Sequence, residues 1–364
     1  AERRTTTDAK GVYRLTALPA GTYTVSVVFA GLVTRTAALE VTLNRVVTFD
    51  VRLEVGGVQE IIAVSAPAID ASTSATGATI TPREITESPV NGRNYLDLLQ
   101  LVPGVAINRQ VDPNTDRSNP VLGERSGNNN FLIDGQSNKD TVNGGPAQQF
   151  NQETIPEFQV LTSGYKAEFG QASGAIVNVI TKSGSNVLSG VGSMFFRDDA
   201  VDASNSLDQT RTEPLPLRRY DSSLALGGPL VKDKMFFFGS AERISEKRQL
   251  DFKYPDTGNA VVNGLLRRQE APYDVPTRIS ETRAFVKFDQ RLGRHQVSEQ
   301  VNYTDGSNRS FLPLSSANSL PSARNDTDTT RLLVGIGDTA LLGSPTNPYV
   351  VTLRGALRRE ESET

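Results

Sequence analysis

The stretch RAFVKFDQRLGRHQVSEQVNYT, residues 283–304, decides how the second half of the chain is read. In its first ten residues Ala284, Val286, Phe288 and Leu292 fall on one face of an extended strand and Arg283, Lys287, Asp289 and Arg291 on the other. Successive side chains of a strand point to opposite sides, so one face suits lipid and the other water. Gly293-Arg294 breaks the run with a tight turn, and a second run starts at His295. YVVTLRGALRR, residues 349–359, repeats the pattern with Val351, Leu353 and Leu357 opposite Thr352, Arg354 and Arg358.

Working outward, strands are expected at 187–197, 219–230, 234–244, 283–292, 295–304, 329–342 and 348–359. A strand of about ten residues crosses a bilayer in a tilted sheet. Long polar connections (198–218, 245–282 and 305–328) alternate with tight turns at Val231-Lys232-Asp233, Gly293-Arg294 and Gly343 to Asn347. A soluble sandwich has little reason to collect every long loop at one end. Outer-membrane barrels do so as a rule, with long loops outside the cell and short turns in the periplasm. No apolar run reaches the length of a membrane helix, which a barrel does not need. The glycines of GIGDTA, residues 335–340, imitate part of a dinucleotide fingerprint. No helix-length pattern follows and Pro345 and Pro348 interrupt, so they read as glycines on a strand.

Composition excludes several chemistries. The chain of 364 residues carries a net charge of −3, which offers no electrostatic case for nucleic acid. It has no cysteine and one histidine, His295. Thiol nucleophiles, disulfides and His/Cys zinc sites are therefore absent from it, and His295 reads as a solvated turn residue. Ser163, Lys166 and Lys182-Ser183-Gly184 resemble acyl-transfer motifs, but Ser126-Gly127-Asn128 precedes both and the spacing is short. Ala175 to Thr181 is instead a β-branched strand between Gly174 and Gly184. No catalytic residue and no cofactor is expected.

The first half divides into three parts. Residues 1–55 alternate at Val12, Arg14 and Thr16, break at Pro19-Ala20-Gly21, and resume through Tyr23, Val25 and Val27. With RTAALEVTL (35–43) and RVVTFDVRL (45–53) they predict a small β-sandwich. Residues 56–66 form a linker opened by Gly56-Gly57 and carrying the apolar string Ile61-Ile62-Ala63-Val64. That string is either a tethered strand suited to adding to another protein's sheet or the first strand of the next domain.

Residues 67–186 mix helix and strand. Pro82 opens a helix, Tyr95, Leu98, Leu99 and Val102 recur at helical spacing, and Phe131-Leu132-Ile133 is a strand ending in the Asp134-Gly135 turn. Leu98, Leu99, Leu101, Phe131, Ile133, Val177 and Val179 are expected to form its own small core under a polar surface. Asp112, Asn114, Asp116 and Ser118 imitate the first half of a calcium loop. Arg117 stands where glycine is required and Gly123 where glutamate is, so the segment reads as a solvated loop without a metal.

Taken together, DAKGVYRLTALPAGTYTVSV (8–27) closely resembles the carboxypeptidase regulatory-like β-sandwich. GRNYLDLLQLVPGV (92–105), NNNFLIDGQSNKD (128–140), ETIPEFQVLTSGYKAEFGQASGAIVNVITKSGSN (153–186) and ALGGPLVKDKMFFFGSAE (225–242) resemble segments of TonB-dependent outer-membrane receptors of the Oar-like branch. The fold class expected is mainly β: the sandwich, then an α+β plug at 67–186, then at 187–364 the first seven or so strands of an antiparallel transmembrane barrel. Plugged transporters close with about 22 strands, so the wall read here is incomplete. The beginning, without a methionine, reads as cut off, so a missing signal peptide carries no information.

The resemblance implies energy-coupled uptake at the bacterial outer membrane, in contact with lipid. The periplasmic protein TonB would pair with a box matched by Glu60, Ile61, Ile62, Ala63, Val64 and Ser65. A small-molecule, saccharide or peptide ligand would meet the plug apex at Asn108, Arg109, Asp112, Asp116, Gln136 and Asn138. Protein export or adhesion on the same fold, and a surface carbohydrate- or protein-binding β-protein without transport, are the alternative readings.

Overall fold

The computed structural model describes residues 3–16, 18, 21–42, 46–55, 61–62, 75–88, 93–106, 119–141, 144–166, 169–201, 215–249, 256–273, 275–311, 322, 325–344 and 347–363. Near the N-terminus β1 (Gly21–Val27) pairs antiparallel with β2 (Arg35–Val41), and β3 (Ile61–Ile62) adds parallel to β2 with Thr36 opposite Ile61 and Ala37 opposite Ile62. The strands expected at 12–17 and 45–53 are not formed among the described residues. Those segments touch where the Tyr13 hydroxyl donates to the Phe49 carbonyl at 2.7 Å, and just beyond them Leu32 makes an isolated bridge with Val55. Alternation alone does not make a strand where no continuous ladder is available to pair its backbone.

The next unit opens with β4 (Thr76–Ile80) and α1 (Pro82–Glu87). Thr81 and Glu84 cap α1 reciprocally, the Thr81 hydroxyl accepting from the Glu84 N–H and the Glu84 carboxylate from the Thr81 N–H. Pro82 sits at the first helical position, where its missing N–H costs nothing. Tyr95–Leu101 winds as a 3₁₀ helix. Leu96, Leu98, Leu99 and Val102 enter the core, whereas Leu101 closes the helix and stays 52% exposed, contrary to expectation, because Val102 takes the inward place.

Strands β5 (Asn130–Ile133), β6 (Gln136–Ser137), β7 (Phe158–Ser163) and β8 (Ile176–Val179) join β4 in a sheet of order β4-β7-β8-β5-β6. Residues from β5 and β8 pair parallel and the other neighbours antiparallel. Phe131, Ile133, Phe158, Val160, Val177 and Val179 lie in its core.

Seven long strands follow as one antiparallel meander: β9 (Ser189–Asp198), β10 (Leu217–Val231), β11 (Met235–Arg248), β12 (Thr277–Leu292), β13 (His295–Phe311), β14 (Asn325–Ser344) and β15 (Asn347–Glu363). All seven expected segments are strands, most of them longer than expected at the long-loop end. Polar runs such as Thr277 to Thr282 carry no apolar alternation, and neighbouring strands hold them in the ladder by backbone bonds. Among the described residues the sheet is open, ending in β9 and β15. Helix α2 (Ala260–Glu270), in the loop between β11 and β12, was not expected; the Asn259 side chain caps it by accepting from the Val261 and Val262 N–H groups.

Register sets the two faces. Val286 and Phe288 are exposed on one side of β12, while Arg283, Phe285 and Lys287 are buried on the other against the α+β unit. Leu224, Ile336, Leu353 and Leu357 extend the exposed apolar side. The wall thus turns an apolar face outward and a polar face toward the plug.

Candidate functional site

The seam between plug and wall is where buried polar chemistry concentrates. On the wall side β10–β12 supply Ala225, Phe238 and Phe285 to the plug's own apolar core. Phe285 meets plug Phe150 edge to face at 5.8 Å between centroids and Phe238 at 6.2 Å. Thr154 of the plug and Ser240 of β11 share a hydroxyl bond of 2.7 Å. The plug core is therefore not closed on itself, and three of its members belong to the wall.

Charge lies beside this apolar contact. Arg283 donates to Glu242 at 2.9 Å, to Glu281 at 2.6 Å and, across the seam, to Gln149 Oε1 at 3.0 Å. Arg93 pairs with Glu153 at 2.5 Å and stacks over the Phe195 ring of β9 at 4.0 Å. Within the plug, burial raises the pKa of the Tyr95 hydroxyl. Burial likewise lowers that of Lys182, opposed by the nearby Glu153 carboxylate.

The Asp134-Gly135 turn joining β5 to β6 makes the second contact. Both residues have positive φ, 50° and 76°, as a two-residue hairpin with matched twist requires. This backbone aims the Asp134 carboxylate at Thr181, whose N–H donates to Oδ1 at 3.0 Å and whose hydroxyl donates to Oδ2 at 2.6 Å. Lys287 of β12 completes the group, 3.2 Å from Asp134 Oδ2 and 3.0 Å from Thr181 Oγ1. On β15 the Arg354 guanidinium lies against Gly135, where any side-chain carbon would come within 2.7 Å of it. Arg358 donates to the Lys139 carbonyl at 2.9 Å.

Of the residues expected at the plug apex, Asn108, Arg109, Asp112 and Asp116 lie outside the described residues, as does the loop compared with a calcium site. Gln136 donates to the Ile336 carbonyl of β14 at 3.1 Å, with its head in the space that Gly335 leaves. Asn138 is fully buried inside the plug, its amide donating to the Gln148 carbonyl and its oxygen accepting from the Gln148 N–H, both at 2.9 Å. Contact of either amide with a ligand requires the plug to shift. Of the box, Ile61 and Ile62 are extended in β3, while Glu60, Ala63, Val64 and Ser65 lie outside the described residues. Sequence placed Lys287, Arg354 and Arg358 on the polar side of their strands, but gave no sign of their plug partners. His295 stands at its turn, half exposed, with Nδ1 2.8 Å from Asp338 Oδ2.

Three family models match the chain in order: the carboxypeptidase regulatory-like domain over residues 1–54, the TonB-dependent receptor plug domain over 69–177 and the outer membrane beta barrel domain over 180–278. The TonB-dependent transporter Oar of Myxococcus xanthus is 28% identical over 284 residues, covering 71% of this chain and 26% of its own length. The chain thus spans about a quarter of that relative. Among solved structures, the outer membrane transporter YddB of Escherichia coli shares the fold at a TM-score of 0.54 and 14% identity, covering 78% of this chain and 38% of its own.

Proposed function

We propose that this chain, which carries the regulatory-like, plug and outer-membrane barrel domains of TonB-dependent receptors in their order, is part of an energy-coupled outer-membrane transporter. The observation that carries this reading is the seam. A domain docked on the inner, polar face of an outward-apolar sheet, by an ion pair and hydrogen bonds as well as rings, is held firmly yet by contacts that water replaces. A purely apolar contact would fix the plug as a permanent core.

Coupling would act through the box. Ile61–Ile62 form the edge strand of a three-stranded sheet, and an edge strand offers the backbone groups that strand addition uses. TonB would pair with residues 60–65, and tension on the linker would reach the plug through β4. The ligand, a small molecule, saccharide or peptide, would meet the plug at its apex, with Asn108, Arg109, Asp112 and Asp116 as contacts and Gln136 and Asn138 engaged after the plug moves. Export or adhesion on the same fold would leave the box dispensable.

The test is direct binding. A peptide of residues 56–70 is titrated with the purified periplasmic domain of TonB, and its Ile62→Pro form serves as the control. Saturable binding lost in the proline form is the expected result. No binding by the native peptide would overturn the coupling reading and favour adhesion.

A further inference from the structure

The plug is held unequally around the wall. Toward β10–β12 it is fixed by three apolar wall residues, by the Lys287–Asp134 ion pair and by the hydrogen bond from Arg283 to Gln149. Toward β13 and β14 the wall presents Gln300, Asn302 and Thr304, all at most 4% exposed, beside Gly335 and Gly337. Leu333, also buried there, lies outside the core cluster. Contacts on this side are few and neutral: Gln136 donates to the Ile336 carbonyl at 3.1 Å, Asn302 donates to the Gln149 carbonyl at 3.2 Å, and Thr304 reaches Gln148 Oε1 only at 3.5 Å.

Gln300 is the decisive residue. It stands between Lys287 and Gly335 in register, and neither atom of its buried carboxamide has a hydrogen-bond partner. Gln136 Oε1, in the space beside the same Gly335, and Gln148 Nε2 are likewise buried and unpartnered. A buried carboxamide with no partner carries the desolvation cost of its polar atoms uncompensated, so a polar occupant is favoured there. No charged group is needed for it, since these side chains present donors and acceptors of equal weight.

We propose that the strip between the plug and β13–β14 is a binding seam for neutral hydrogen-bonding groups, hydroxyl or amide, with Gln300, Gln136 and Gln148 as its recognition groups. It follows that the plug yields along this strip first and stays anchored on either side of it, on β10–β12 and, through Arg358 and the Lys139 carbonyl, on β15. The inference rests on the plug-in-wall reading but not on energy coupling.

Single cysteines in the full-length protein, in outer-membrane fractions, test it without any partner. Gln300→Cys is expected to react with neutral methyl methanethiosulfonate at least ten times faster than Ala225→Cys, which lies in the anchored core. It is also expected to react more slowly with a cationic methanethiosulfonate than with the neutral one. Equal protection of the two cysteines would overturn the seam, and equal rates with both reagents at Gln300→Cys would overturn its neutral selectivity. Gln300→Leu is a second arm: an unchanged or raised Tm is expected, because an apolar side chain removes unpaired groups, and a fall of several degrees would show that the carboxamide is already satisfied.

Discussion

Lys287 of β12 and Asp134 of the plug turn, 153 residues apart in sequence, meet at 3.2 Å in an ion pair whose lysine is buried and whose aspartate is partly exposed, and which joins the two bodies of the protein. Thr181 is hydrogen-bonded to both, so the pair is satisfied rather than merely close. Removing the lysine should cost about 1–3 kcal/mol, less than for a fully buried pair, because Asp134 keeps its Thr181 bonds and some access to water. Lys287→Met in the full-length protein is expected to speed amide exchange in β5, β6 and β8. Adding Asp134→Asn should restore much of the protection, since loss of both charges is nearly neutral. An additive double variant would show that the two side chains act independently.

Phe285 links the plug core to the wall through Phe150 and Phe238. Truncation to alanine should loosen docking by about 3–5 kcal/mol. For the same reason a polypeptide of residues 67–186 should fold only marginally, with Phe150 uncovered. Its NMR spectrum should be dispersed but broadened, and sharp random-coil shifts would rule out an independent plug.

Gly335 is required by its neighbour. A methyl group there would lie 2.4 Å from Gln136 Oε1, so Gly335→Ala must displace that side chain and its bond to Ile336. A cost of about 1–3 kcal/mol is expected, and Gln136→Ala should relieve most of it. Thermal midpoints of the four proteins complete the cycle; no relief would place the strain elsewhere.

Ile62→Pro in the full-length protein should abolish energised uptake and leave ligand binding intact. Proline removes a backbone donor and restricts the residue before it, which spoils both the pairing with Ala37 and any strand added at the free edge. Unchanged uptake would mean that the segment is not the coupling element.

What was legible in the sequence was whatever depends on short-range pattern. Alternation in 283–292 and 349–359 placed Val286, Phe288, Leu353 and Leu357 outward and Lys287, Arg354 and Arg358 inward, as register then did. Turn residues located the hairpins, and Pro82 located the start of α1. Pattern misled where pairing decides: among the described residues, 12–16 and 46–53 alternate without a ladder, and Thr277 to Thr282 form strand without alternating.

The seam itself was decided only by tertiary structure. Nothing local says that Asp134 faces Lys287, that Phe285 on a polar face joins the plug core, or that Gln300 is left without a partner. Periodicity fixes which face of a strand a residue occupies, because that follows from backbone geometry within a few residues. The chemistry met by that face depends on another body of the chain, more than a hundred residues away, and on how the two pack.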